Sequence, residues 1–116
     1  MLSLCVGLGG FLGAIARYSV GLLLPFEGNF PLATLLVNVF GCLLIALSAV
    51  YRNLLPDSFF VFFVPGFLGA FTTFSAFGLE TFRLMQSQQW SLVFLNIGLN
   101  LLLGLGAIGL VFYFSR

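Results

Sequence analysis

The chain has no histidine, no lysine and only two cysteines, and its charge is limited to four arginines and three acids in 116 residues. Without histidine it lacks the usual haem ligand, the commonest zinc ligand and the one side chain that carries protons near neutrality unaided. Cys5 and Cys42 sit inside apolar runs, where a thiol acts as a small packing group, so neither a disulfide framework nor a metal site is expected. A net charge of +1 with no basic cluster offers nothing to nucleic acid. No nucleotide-binding motif or nucleophile constellation is present, so the chain does not read as an enzyme. With 61% hydrophobic and 6% charged residues, a soluble domain of this size has too little interior to hide its apolar surface. The solvent must be lipid.

About 20 apolar residues cross a bilayer as a helix. Reading for such runs predicts an all-α membrane protein, a single transmembrane domain over residues 1–116 with spans at about 2–24, 31–51, 58–84 and 90–115. The first span is closed by Pro25-Phe26-Glu27-Gly28-Asn29 and the second by Arg52-Asn53-Leu54-Leu55-Pro56-Asp57. Residues 1–13 lack the basic segment of a secretory signal and are read as part of the first helix.

With four spans, Arg52 and Arg116 lie on one side of the membrane, and Arg17 and Arg83 towards the other. Cytoplasmic loops ordinarily hold an excess of Lys and Arg. An even distribution permits insertion both ways and an antiparallel homodimer; a partner that fixes one orientation is the alternative. Gly9 and Gly13, four apart, and Gly98, Gly104, Gly106 and Gly109 in the last span fit close helix approach within an assembly.

The unusual feature is polarity at bilayer depth. Thr34, Asn38 and Cys42 share one face of span two, and Asn96 and Asn100 share one of span four. An asparagine amide offers two N–H donors, which suits a partly dehydrated anion but also suits interhelical bonding. Span three is too long for a simple helix, and Pro65-Gly66 and Gly69 predict an interruption near its middle. Carbonyls freed at a break are ligands for a hard cation, with Thr72, Thr73 and Ser75 at hand to satisfy other exposed groups. The alternative is a kinked helix whose hydroxyls bond back to the preceding turn. Phe59, Phe60, Phe62, Phe63, Phe67, Phe71, Phe74 and Phe77 crowd this span, and rings held edge-on to a narrow path present their positive rim to an anion. Arg17 either snorkels to the interface or makes a vestibule positive. Glu80, still near the membrane, reads as paired, protonated or holding water.

Three segments carry a family resemblance. Gly9-Gly10-Phe11-Leu12-Gly13-Ala14-Ile15-Ala16-Arg17-Tyr18 resembles the GGxxGAxxRY opening of the Fluc (CrcB-type) fluoride channels. Thr34-Leu35-Leu36-Val37-Asn38-Val39-Phe40-Gly41 is similar to that family's TLxVNxxG stretch, and Gly69 to Phe77 to its GGxTTFSTF signature, followed by Glu80. The resemblance covers three ordered motifs in three spans and is looser in the fourth.

The resemblance implies a dual-topology antiparallel homodimer in the bacterial cytoplasmic (inner) membrane, with two pores that let fluoride leave passively. It implies a structural sodium ion at the dimer centre, held by the main-chain carbonyls of Gly69 and Thr72. Phe74 and Phe77 then correspond to the pore-lining rings, Asn38 to the amide that donates to fluoride and Arg17 to the vestibule arginine. Thr34, Thr73, Ser75 and Glu80 fall on further polar positions of the path.

Departures are Ala76 where threonine is usual, and Ala33, Ala46 and Ala70 where glycine is frequent. Asn96 and Asn100 stand at the spacing of the tyrosine and serine that many members carry, and are placed on the same polar track. Two rival readings are a small proton-coupled multidrug exporter and an anchor subunit of a larger complex. The exporter needs a membrane carboxylate, for which only Glu80 is available.

Overall fold

The computed structural model describes all 116 residues, and every regular element in it is helical. The chain forms α1 (Leu2–Leu23), α2 (Leu32–Val50), a short 3₁₀ turn (Arg52–Leu54), α3 (Asp57–Val61), a π-helical stretch (Phe62–Leu68), α4 (Gly69–Phe71), α5 (Phe74–Gln86) and α6 (Trp90–Phe114). Four helical units are long and apolar enough to cross a membrane: Leu2–Leu23, Leu32–Val50, Asp57–Gln86 and Trp90–Phe114. At 1.5 Å per residue, even α2 reaches about 28 Å, close to the hydrocarbon thickness of a bilayer.

The connections follow from local chemistry. Pro25 and Gly28, the latter at φ +80°, turn the chain out of α1. Arg52 organises the second corner: Nη1 donates to the Leu55 carbonyl (3.0 Å), Nη2 pairs with Asp57, and the guanidinium lies 4.3 Å from the Phe60 ring centroid. The Gln89 amide donates to the Gly28 carbonyl (3.0 Å), tying the first and third loops together at one end of the bundle.

The third span is not one helix. Pro65 has no N–H and its ring crowds the carbonyl four residues back, so an α-helix cannot run through it unchanged. The chain widens into a π-helix instead, and the Gly69 N–H reaches the Val64 carbonyl five residues back. Gly69 itself has ordinary right-handed helical angles. The helix stops later than the Pro-Gly signals suggest, at Thr72 (φ −84°, ψ 158°) and Thr73 (φ −153°, ψ 127°), both extended. It restarts at Phe74, where the Thr73 side chain accepts from the Ala76 N–H (3.2 Å) as an N-cap.

Gly9 and Gly13 do not form an interface between copies. They place α1 directly against the π-helical stretch: a Cβ on Gly9 would overlap the Phe62 carbonyl, and one on Gly13 the Phe67 carbonyl. Gly66 answers from the other side, where a Cβ would come within 2.8 Å of the Val6 carbonyl. Gly98, Gly106 and Gly109 face open space. α2 packs on α6, where Asn38 meets Asn100 and Gly104 lies against the Cys42 sulfur; Val37 and Ala46 of α2 and Val93 and Asn96 of α6 are nearly or fully buried. The result is a flat molecule, 48 × 33 × 19 Å, with only 16 of 116 residues buried, so most apolar surface is turned outward as a lipid-facing protein requires.

Along one face of the third span, Phe59, Phe63, Phe67 and Phe71 form a ladder of stacked rings with centroids 5.9, 5.7 and 5.5 Å apart. These four phenylalanines thus pack on one another, and none of them lines the concavities described below.

A candidate ion path at the broken third helix

Breaking a helix inside a membrane strips carbonyls and N–H groups of their partners, and each must find another. Asn38 meets most of this need. Its Oδ1 accepts the Thr73 N–H (2.9 Å) while its Nδ2 donates to the Thr73 carbonyl (3.0 Å), so one amide grips both sides of one residue in the gap. Arg17 serves the preceding half-helix: its Nε donates to the Ala70 carbonyl (2.9 Å), placing a cation at a helix C-terminus. Thr72 bonds back to the Leu68 carbonyl through its hydroxyl (2.9 Å) and its N–H (3.0 Å). Both sequence readings of the threonines therefore hold in part: Thr72 bonds backward, and Thr73 caps forward. The carbonyls of Gly69 and Thr72 accept no hydrogen bond within the chain, and Gly69 is exposed.

Asn96 and Asn100 extend the polar network onto α6. Asn38 Nδ2 also donates to Asn100 Oδ1 (3.1 Å). Asn100 Nδ2 donates to the Asn96 main-chain and side-chain oxygens (2.9 and 3.0 Å). The fully buried Asn96 donates to the Thr81 hydroxyl (2.9 Å), which donates to the Phe77 carbonyl (2.6 Å). Thr81 was not visible as a site residue in the sequence. It is a lone threonine beside Glu80, and its only local signal is its place one turn after Phe77.

Two concavities meet at Thr73. The first, of about 550 Å³, is lined by Asn38, Gly69, Thr72, Thr73, Phe74, Phe77 and Asn100 together with apolar residues of α2 and the π-helical stretch. Phe74 is 82% exposed, with its ring centroid 5.7 Å from that of Phe77 and the two rings tilted by 44°. The second, of about 380 Å³, holds Arg17, Thr34, Thr73 and Glu80. There Thr34 donates to Glu80 Oε1 (2.9 Å), while Glu80 Oε2 is buried without a partner. Arg17 thus neither snorkels freely nor stands alone, because its guanidinium faces a cavity it shares with Glu80. Ser75 is exposed, its hydroxyl 3.4 Å from that of Thr73, and Asn96 lies behind the first concavity rather than in it.

Every predicted site residue except Ser75 and Asn96 thus lines one of the two concavities, and those two touch residues that do. The family described as "CrcB-like protein, Camphor Resistance (CrcB)" matches residues 4–112. "Fluoride-specific ion channel FluC 1" of Bacillus cereus (strain ATCC 10987 / NRS 248) is 42% identical over 115 residues, covering 95% of this chain and 84% of that protein. "Fluoride-specific ion channel FluC 2" of Symbiobacterium thermophilum is 41% identical, covering 89% and 88%. "Fluoride-specific ion channel FluC" of Helicobacter acinonychis is 45% identical, covering 75% and 73%. These relatives are named as channels, not as enzymes. With the match running over nearly its whole length, the chain belongs to the CrcB family.

Proposed function

We propose that this protein is a fluoride-selective channel of the bacterial cytoplasmic membrane, through which fluoride leaves the cell passively. The observation that carries the reading is the break at Thr72–Thr73, held open by Asn38 beside the Phe74–Phe77 pair, in a chain whose relatives are named fluoride-specific channels. Fluoride is small and tightly hydrated, so a pore must replace its water with many donors. Asn38, Thr73 and the positive ring edges of Phe74 and Phe77 supply such groups along the two concavities, with the Ser75 hydroxyl beside Thr73 and Thr34 holding Glu80 in the second. Arg17 raises the local anion concentration at the second. HF enters cells as a neutral acid and dissociates inside, and a negative-inside potential then drives fluoride out with about 2.3 kcal/mol per 100 mV. No coupling to chemistry is needed.

The channel works as an antiparallel homodimer with two pores. A concavity carrying amides and free carbonyls at membrane depth is not tolerated against lipid, and a second copy is a cover of matching length. The arginines are divided evenly between the two ends, which favours neither orientation. Gly69 and Thr72 from each subunit would hold the central sodium ion. Their carbonyl oxygens are unclaimed and are the donor type that a hard cation takes. The bound ion supplies fixed positive charge and joins the subunits.

Two experiments test this. Expression should restore growth on fluoride to a bacterial strain lacking its own fluoride export, and no restoration by membrane-inserted protein contradicts the function. A cysteine at Asn29, in a background with Cys5 and Cys42 replaced by alanine, should be labelled to about half from either side of the membrane by an impermeant reagent. All-or-none labelling contradicts dual topology.

A further inference from the structure

The hydrogen bonds that join α5, α6 and α2 have a fixed direction. The Phe77 carbonyl is only an acceptor, so the Thr81 hydroxyl must donate to it, and the Asn96 amide N–H must donate to Thr81. Asn96 therefore turns its oxygen towards Asn100, which meets it with Nδ2. Asn100 is left with its oxygen facing Asn38, which answers with an N–H (3.1 Å). The other Asn38 N–H is held by the Thr73 carbonyl (3.0 Å), and its oxygen by the Thr73 N–H (2.9 Å). Asn38 has two amide hydrogens, and both are spoken for.

We infer that Asn100 acts as a resident acceptor, whose side-chain oxygen occupies the Asn38 N–H that a fluoride ion must take over, and that Thr81 and Asn96 set it in that orientation. This rests on the fluoride-channel reading and gives Asn100 a role opposite in sign to a pore donor. The two asparagines line the same concavity, so exchange between amide oxygen and anion occurs where the ion passes. An N–H bonded to an anion is stronger than one bonded to a neutral amide oxygen, so fluoride displaces Asn100. The displaced oxygen stays beside the site and reclaims the N–H when the ion moves on. Conduction needs this balance, because a site that only binds also traps. The exchange weakens the hold on any anion equally, so it sets affinity and release rather than preference between anions.

The test is the double substitution Asn96→Leu with Asn100→Leu, with the single Asn100→Leu beside it. In the double variant Thr81 keeps its bond to the Phe77 carbonyl, both α6 amides are gone and one Asn38 N–H is free. It therefore leaves no other buried donor or acceptor of the string unpaired. Fluoride binding is read by ¹⁹F NMR titration of the protein in lipid nanodiscs, and efflux on the same samples in vesicles. Half-saturation should fall roughly fivefold, the size of one neutral hydrogen bond, with slower maximal efflux and unchanged exclusion of chloride. Asn100→Asp, which offers Asn38 a charged acceptor in the same place, should weaken fluoride binding more than tenfold. Unchanged or weaker fluoride binding in the double variant overturns the inference while leaving the channel function standing. A wild-type protein that neither binds nor conducts fluoride instead overturns the functional reading on which it rests.

Discussion

Gly13→Ala tests how the fold positions the ion path, because one methyl group there meets main chain on the third span. The added Cβ would overlap the Phe67 carbonyl oxygen and lie 2.9 Å from its carbon and 3.0 Å from its Cα. Ordinary contact begins at 3.4 Å, so α1 must move out by at least 0.5 Å (3.4 − 2.9) to clear the carbon, and further to clear the oxygen. No rotamer change relieves this, since the opposing atoms are backbone. Overpacking of this kind costs about 1–3 kcal/mol. The displacement also reaches the site. Arg17 stands one turn beyond Gly13 on the same face of α1, and an outward shift stretches its 2.9 Å bond to the Ala70 carbonyl. The variant should lose stability in detergent, read as a lowered midpoint of thermal aggregation, and should conduct fluoride several-fold more slowly. Gly106→Ala on α6, where a Cβ meets nothing within 4 Å, is the control and should match wild type. Wild-type stability and flux in Gly13→Ala would refute the close α1 contact and its coupling to Arg17.

Three further substitutions follow from the same geometry. Asn38→Asp replaces a donor to Thr73 and Asn100 by a charged acceptor facing two oxygens, and fluoride efflux should be abolished; unchanged efflux would remove Asn38 from the path. Phe74→Ile and Phe77→Ile delete the ring edges while keeping apolar bulk, and should slow efflux while eluting as wild type on size exclusion; wild-type rates in both would exclude the rings. Thr81→Val is nearly isosteric but strands a buried Asn96 N–H, and should cost about 1 kcal/mol in a denaturation assay, with Thr81→Ser restoring most of it; equal stability of Val and wild type would show that the hydroxyl is not part of the string.

The spans were legible because a bilayer demands uninterrupted apolar runs, and the runs at Leu2–Leu23, Leu32–Val50 and Trp90–Phe114 lie within two residues of the lengths read from the sequence. The position of the break was less so. Pro65, Gly66 and Gly69 are local signals, but a π-helix absorbs the proline, and Gly69 stays helical. What ends the helix at Thr72 is the grip of Asn38 on Thr73, a contact across 35 residues that no local pattern records. Gly9 and Gly13 announced a close helix contact but not its partner, which proved to be the π-helical stretch of the same chain rather than another copy. The spacing of Asn96 and Asn100 marked one polar face. Its direction of donation, and the part of Thr81 in it, appear only when Phe77 is placed opposite.

The measurement that bears most directly on the central claim is anion efflux from liposomes holding the purified protein, followed with a fluoride electrode and, in parallel vesicles, a chloride electrode. Rapid fluoride efflux on addition of a potassium ionophore, with chloride retained, is the predicted result. Chloride leaving as fast as fluoride, or fluoride retained by a folded, correctly inserted protein, would contradict the account.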